Sequence, residues 1–358
     1  MPGVFQNRQS GVPEALGAAL LFGLSAPVAK LLLGNVSQQL LAGLLYLGSG
    51  VGLSVVWLAR RSDLPPDEAS LRMSDAPALA AAIGFGGVLA PLLLLAGLNQ
   101  TPASTASLLL NLETVFTALL AWMIFKEHVD RRIALGMLSI VCGGLILSST
   151  ATALVTNWIG PASIAAACLC WGIDNNATQK ISAHDPVQIA SLKGLTAGAV
   201  NAALAIVFGA SWPDWRFIGA ALLLGFFSYG VSLVLYIRGL RTLGTARTGN
   251  YFSLAPFIGT IVGIGLFKDR VTLSLLAAGF FMGLGLWLHL TERHSHRHIH
   301  EPQDHEHAHV HDEHHQHEHT PDDPPGEPHS HPHHHNRLEH SHPHYPDVHH
   351  RHGHEDKE

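Results

Sequence analysis

Up to about residue 290 the chain alternates long apolar stretches with short polar ones; beyond that it stays polar to its end. A helix needs about 20 apolar residues to cross the hydrocarbon core of a bilayer, at roughly 1.5 Å rise per residue. Stretches that reach or approach this length lie at 13–33, 39–59, 76–97, 103–125, 131–150, 158–178, 188–208, 217–237, 248–267 and 273–290. They show almost none of the polar striping, at a period of 3.6 residues, that a helix on a soluble core carries. The connections Gly34–Gln38, Leu98–Pro102 and Lys268–Thr272 are short enough to force antiparallel neighbours. The pattern therefore predicts an all-α membrane protein of ten transmembrane helices. The first stretch is preceded only by Arg8, runs past signal-peptide length and lacks a convincing small-residue cleavage site, so it reads as a retained helix. Pro27, Pro91 and Pro256 fall inside stretches and should bend or loosen helices 1, 3 and 9.

Small residues are frequent in these stretches. Gly48/Gly52, Gly194/Gly198, Gly259/Gly263 and Gly279/Gly283 form Gly-x-x-x-Gly pairs, which let helix backbones approach closely in lipid. Close packing inside one bundle is the expected use, and a homodimer contact is the alternative. Cys142, Cys168 and Cys170 lie in apolar runs and read as packing residues, with no disulfide framework implied.

Charge is distributed unevenly. With ten spans, one side of the membrane collects Arg8, Arg60, Arg61, Arg72, Lys126, Arg131, Arg132, Lys180, Arg238, Arg241, Arg247 and Arg293. The other side collects only Arg216, Lys268 and Arg270. Positive charge marks the cytoplasmic side, so both termini are expected there.

Shifted by 142 residues, segment 98–145 aligns with 240–287 without a gap. Phe125-Lys126-Glu127-His128-Val129 then falls over Phe267-Lys268-Asp269-Arg270-Val271, with Leu112/Leu254 and Gly143/Gly285 in register. Phe22-Gly23-Leu24 similarly matches Trp171-Gly172-Ile173. An odd number of spans per half turns the second half upside down relative to the first, and such inverted repeats are a mark of secondary transporters.

Two inverted five-helix halves, the Phe22-Gly23-Leu24-Ser25-Ala26-Pro27 start, and Glu127 and Asp269 closing helices 4 and 9 resemble the EamA-type drug/metabolite transporters. The resemblance covers about residues 13–290. It implies a carrier of small organic solutes, often an exporter, working by alternating access. It divides the chain into a cytoplasmic N-terminus (1–12), two EamA-like repeats (13–150 and 151–290) and an added tail (291–358). Pro256 fits a proline the family often carries in the fourth helix of each half. The aligned residue in the first half is Thr114, which leaves a bend in helix 4 open.

Polar residues at membrane depth are the candidates for chemistry. Glu113 falls near the middle of helix 4, where a charged side chain costs about 2.5–3.5 kcal/mol and such residues usually face a cavity. It could couple transport to a proton or bind a cation; alternatively it is hydrogen-bonded to a neighbour such as Asn111. Asp174-Asn175-Asn176 follows Trp171 towards the cytoplasmic end of helix 6. These three side chains splay around a helix, so either one lines the cavity or the group caps an unwound end. Tyr229, Asn250 and Tyr251 would add polarity from helices 8 and 9. Lys30 and Lys193 are placed to snorkel to the outer and cytoplasmic interfaces.

The tail is a different polymer. Residues 294–358 hold 24 of the 27 histidines, 14 acidic and 4 basic residues, and eight prolines. With so few apolar residues it should be disordered. Its motif is His-x-His: His294/His296/His298/His300, His305/His307/His309/His311, His315/His317/His319, His329/His331/His333 and His340/His342/His344. In an extended, flexible chain neighbouring imidazoles of this motif can converge on one ion, and at this density they suit Zn²⁺, Ni²⁺, Co²⁺ and Cu²⁺. The tail could buffer metal, sense it, feed it to a pore, or sense pH through imidazoles that titrate near 6.5.

No Gly-x-x-x-x-Gly-Lys-Ser/Thr motif occurs, so nucleotide-driven transport lacks its phosphate cradle. The chain reads as a non-enzymatic secondary transporter in the cytoplasmic membrane that requires no cofactor. Its partners are the bilayer, a small solute and transition-metal ions, with no nucleic acid. The first reading is export of a metabolite or drug-like solute. The alternatives are a divalent-metal transporter fed or gated by the tail, and a membrane-anchored metal buffer.

Overall fold

A computed structural model describes residues 11–60, 71, 73–125, 131–154, 158–181, 184–243, 245–291, 294–300, 303–309, 329–335 and 338–344. Helices begin almost where the apolar stretches begin. They are α1 (Val12–Gly23), α2 (Ser25–Leu33), α3 (Gln38–Arg60), α4 (Ala76–Ala81), α5 (Ala90–Gln100), α6 (Ala103–Leu109), α7 (Leu112–Phe125), α8 (Arg131–Leu154), α9 (Ile159–Gln179), α10 (Pro186–Val207), α11 (Trp215–Gly225), α12 (Ser232–Leu243), α13 (Thr245–Phe252), α14 (Ala255–Phe267) and α15 (Leu273–Leu290). Local chemistry sets several starts. Asp185 accepts from Val187 N ahead of Pro186, Asp214 accepts from Arg216 N, and Thr272 Oγ1 accepts from Leu275 N. Lys268, at φ 54°, ends α14 in the left-handed conformation that closes many helices.

Among the described residues, seven helical runs are long and apolar enough to cross a membrane: Val12–Leu33, Gln38–Ala59, Met73–Gln100, Ala103–Ile124, Arg131–Ser148, Pro186–Val207 and Trp215–Gly239. Ala255–Phe267 and Leu273–His289 are shorter apolar helices. Apolar side chains point outwards as well as inwards: Val55, Trp122, Leu145, Val207 and Phe280 are exposed, while Leu41, Leu45, Leu95, Leu98 and Ile164 are sealed inside. An apolar exterior of this extent suits lipid and not water.

The runs are interrupted where the backbone loses a donor. Pro27 has no N–H for the carbonyl four residues back, and α1 gives way to α2 at Leu24. Pro256 likewise follows the break between α13 and α14. A π-helical turn, Ala82–Leu89, precedes Pro91, and the Gly87 carbonyl left over is taken by Asn201 Nδ2 at 2.9 Å. The expected bends in helices 1, 3 and 9 are all present. Two breaks have no proline. Helix 4 parts between α6 and α7, where Asn111 Nδ2 donates to Leu108 O at 2.8 Å. A second π turn, Phe226–Val231, interrupts the run from α11 to α12. Its last residue stands 142 positions after Leu89, the last of the first π turn.

Helix α3 lies along α10, α8 along α15, α5 and α7 against α9, α1 against α12 and α13, and α6 against α14. Glycines permit the closest of these crossings. A Cβ on Gly50 would overlap Leu195 N, and one on Gly194 would overlap Gly50 N. Gly48/Gly52 abut Leu222 and Phe226, and Gly259/Gly263 abut Gly23 and Ser104. Three of the four Gly-x-x-x-Gly pairs are thus occupied within the chain.

Four segments of the tail are described, as two short ladders. Strands β1 (His294–His300) and β4 (Leu338–His344) pair antiparallel, as do β2 (Gln303–His309) and β3 (His329–His335). In the first ladder His294 stands opposite His344, His296 opposite His342 and His298 opposite His340, while His300 meets Leu338. In the second His305 stands opposite His333, His307 opposite His331 and His309 opposite His329. Candidate metal histidines of these segments, His298 and His333 among them, stand in the paired strands. His-x-His has the period of two that a strand presents, so the alternating histidines of each strand share one face, with His334 of β3 on the other. Matched histidines lie 42 to 50 residues apart in the first ladder and 20 to 28 in the second. Each ladder has only two strands, an arrangement of marginal stability in water. His311, His315, His317 and His319 lie outside the described residues, as does Glu127.

Candidate functional site

The centre of the bundle is built around α9. This helix runs unbroken to Gln179, so Asp174, Asn175 and Asn176 do not cap an unwound end. They point in three directions, as the helical period requires. Asp174 is buried and faces α10, where Lys193 Nζ donates to both its oxygens (2.6 Å to Oδ1) and Thr178 Oγ1 adds a bond of 2.9 Å. Asn175 faces α7, donating from Nδ2 to Glu113 Oε1 at 2.8 Å and to Thr117 Oγ1 at 3.3 Å. Asn176 is buried and bonds backbone carbonyls, Gly172 O at 2.8 Å and Thr117 O at 3.2 Å. Glu113 sits in the first turn of α7, just beyond the break in helix 4, and is partly buried.

Rings close the other side. Phe22 on α1 touches Trp171 (6.3 Å between centroids), Tyr229 (6.1 Å) and Phe252 (5.3 Å). Tyr46 meets Tyr229 at 5.3 Å, and Tyr236 meets Phe252 at 4.8 Å. Tyr46 also donates to Gly86 O at 2.6 Å, a carbonyl in the first π turn, and the Asp174 carboxylate presses on the same glycine.

Of the residues expected in a cavity, Glu113, Asp174, Trp171 and Tyr229 lie in this central region. Asn111 is buried but bonds Leu108 O and contacts Met282 Sδ at 3.8 Å; its bonds go to these and not to Glu113. Tyr251 is partly buried on α13, and the side chain of Asn250 lies outside the described residues. One of the two lysines is corrected. Lys193 does not snorkel; it is buried at 9% exposure, because Asp174 one helix away supplies a charge partner. Lys30 reaches the end of the bundle that carries the Leu98–Pro102 connection, the end at which its interface was expected. Its ammonium donates to Leu98 O at 2.9 Å and to Thr101 O, the carbonyls ending α5, and stands 5.9 Å from the Phe267 ring centre. Sequence reasoning did not single out Phe22 alone, Tyr46, Tyr236, Phe252 and Thr117. Its one available signal was that four of the five tyrosines fall within the apolar body.

Asp269 ties the halves together near Lys30. Its Oδ2 accepts from Ser104 N at 3.0 Å and Ser104 Oγ at 2.7 Å, at the start of α6. Across the bundle, His184 Nε2 stands 3.4 Å from Asp75 Oδ2.

A multi-pass helical bundle, apolar outside and enclosing a polar and aromatic centre, is the architecture of a membrane carrier. The EamA-like transporter family matches residues 9–149 and again residues 158–291, and the chain belongs to that family: it is a membrane transporter. An uncharacterized transporter of Methanothermobacter thermautotrophicus is 25% identical over 307 residues, covering 80% of this chain and 88% of the relative. A solved crystal structure shares the fold with a TM-score of 0.59 at 19% identity, over 79% of this chain and 96% of that one.

Proposed function

We propose that the chain is a secondary carrier exporting a small metabolite or drug-like solute across the cell membrane by alternating access. In this reading ten spans form two inverted five-helix repeats, with both termini in the cytoplasm. Several features support the repeat: the family matches twice, the π turns end 142 residues apart, and the packing pairs exchange when the halves are exchanged. The observation that carries the function is the cluster of Glu113, Asn175, Asp174 and Lys193 against the rings, contributed by both halves at membrane depth. Polar groups there mark a solute or ion path. The Asp269–Ser104 contact would hold the outer side closed, and it must open for release.

A metal path through the body finds less support. Among the described residues, no three His, Cys, Asp or Glu side chains come together as ligands. Metal binding is assigned instead to the histidine tail, as a buffer or sensor. Alternating access is testable without a known substrate. In a background lacking Cys142, Cys168 and Cys170, Asn175→Cys should react with impermeant maleimide from each face of oriented membranes, in different conformations. Labelling from neither face would sink the reading.

A further inference from the structure

The charges at the centre do not balance. Asp174 and Lys193 neutralise each other, with both carboxylate oxygens engaged. Glu113 has only the neutral amide of Asn175 on its Oε1, and among the described residues no Lys, Arg or His stands within ion-pair distance of it. Asn175, which holds it, is exposed, and Glu113 itself is partly buried. A negative group so placed, in poorly hydrated surroundings, draws a positive one.

The neighbours decide what kind of cation fits. A bare divalent ion needs four or more oxygen, nitrogen or sulfur ligands. Glu113 and Asn175 offer far fewer, and among the described residues no three His, Cys, Asp or Glu side chains gather to supply the rest. Rings dominate the remaining boundary: Trp171 lies one turn before Asn175 on α9, and Phe22 links it to Tyr229 and to Phe252, beside Tyr236. Ring faces attract a cation and cover apolar surface at once. We propose that the centre takes a small organic monocation: an ammonium group paired with Glu113, on an aromatic or other apolar body lodged among these rings. The proposal rests on the carrier reading and adds the class of solute to it.

The test uses the full-length protein in lipid nanodiscs and three probes with one phenylpropyl body: 3-phenylpropylammonium, 3-phenylpropanol and 3-phenylpropionate. Calorimetric titration should find the ammonium binding at least tenfold more tightly than the alcohol, and the carboxylate weaker still. In Glu113→Gln, which still offers Asn175 an acceptor, the ammonium should fall to the level of the alcohol. In Phe22→Leu both should weaken by about threefold or more, with the ammonium still ahead. Because the wild-type order alone is diagnostic, a misfolded variant does not spare the idea. Equal affinities, a preference for the carboxylate, no binding of any probe, or unchanged ammonium binding by Glu113→Gln each overturn it. Flux into vesicles separates the two claims. An ammonium that binds in the stated order but is not carried refutes the carrier and keeps the site. A carried anionic solute indifferent to Glu113→Gln refutes the site and keeps the carrier.

Discussion

Asp174 and Lys193 show what a single residue can and cannot disclose. Each was visible as a charge in an apolar run, but which face it takes depends on a helix elsewhere in the chain. Lys193 alone should snorkel; with a carboxylate on the adjoining helix it stays buried. Glu113 was easier to place because its depth follows from its position along helix 4, although its partner turned out to be Asn175 and not the adjacent Asn111. The buried pair has a thermodynamic signature. Removing one partner strands the other, at a cost of about 3–5 kcal/mol, whereas removing both charges with similar volume is close to neutral. Thermal unfolding in detergent should therefore show Lys193→Met and Asp174→Asn each strongly destabilised, and the double variant substantially recovered. Single variants as stable as the wild type would mean that the pair contributes nothing to folding.

At the scale of the element, legibility followed from how local the cause is. Helix ends track apolar runs and capping residues such as Asp185 and Thr272, and three bends track three prolines. The break between α6 and α7 has no proline, and the turn Phe226–Val231 has none either, so neither could be read from the chain. Both sit where a neighbouring helix engages the run: Ser228 Oγ, within the π turn, donates to Leu21 O at 2.7 Å. In the tail, the alternation that sets His298 opposite His340 and His305 opposite His333 was legible only as ligand spacing. Gly-x-x-x-Gly pairs were legible as close contacts, but not which helices they join. The structure distinguishes them sharply. A methyl group at Gly50 would overlap the backbone of α10, whereas at Gly283 the nearest atom is the Phe257 ring tip at 4.0 Å. Gly50→Ala should cost about 1–3 kcal/mol through forced separation of α3 and α10. Gly283→Ala should change stability by no more than about 0.5 kcal/mol. Comparable melting shifts for the two would show that the α3–α10 crossing is looser than its geometry.

For the whole molecule, the division between body and tail follows from composition alone, and it has separable consequences. The body closes its packing by α15, whose side chains bind back to α8: His289 Nε2 lies 3.1 Å from Ile133 O, and Arg132 donates to Thr291 Oγ1 at 2.8 Å. Both contacts precede residue 293, so truncation after Arg293 should leave a folded, membrane-inserted protein. The same truncation removes 24 of 27 histidines and with them most Zn²⁺ or Ni²⁺ binding. Metal needs neutral imidazole, so binding by the full chain should fall as the pH drops through about 6.5, while the truncated chain shows little at any pH. Over the same range the tail's formal charge climbs from −10 towards +14, which also repels cations. If the tail fed metal to a pore, truncation would cut metal flux at low ion concentration and matter less at high concentration, because the lost term is local concentration. A buffer or sensor predicts instead that organic flux persists after truncation and changes at most in its response to metal or pH. Vesicle uptake by both forms, measured across ion concentrations, decides between them. Metal flux that falls on truncation only at low concentration would reassign the tail from buffer to feeder, and with it the cargo of the body.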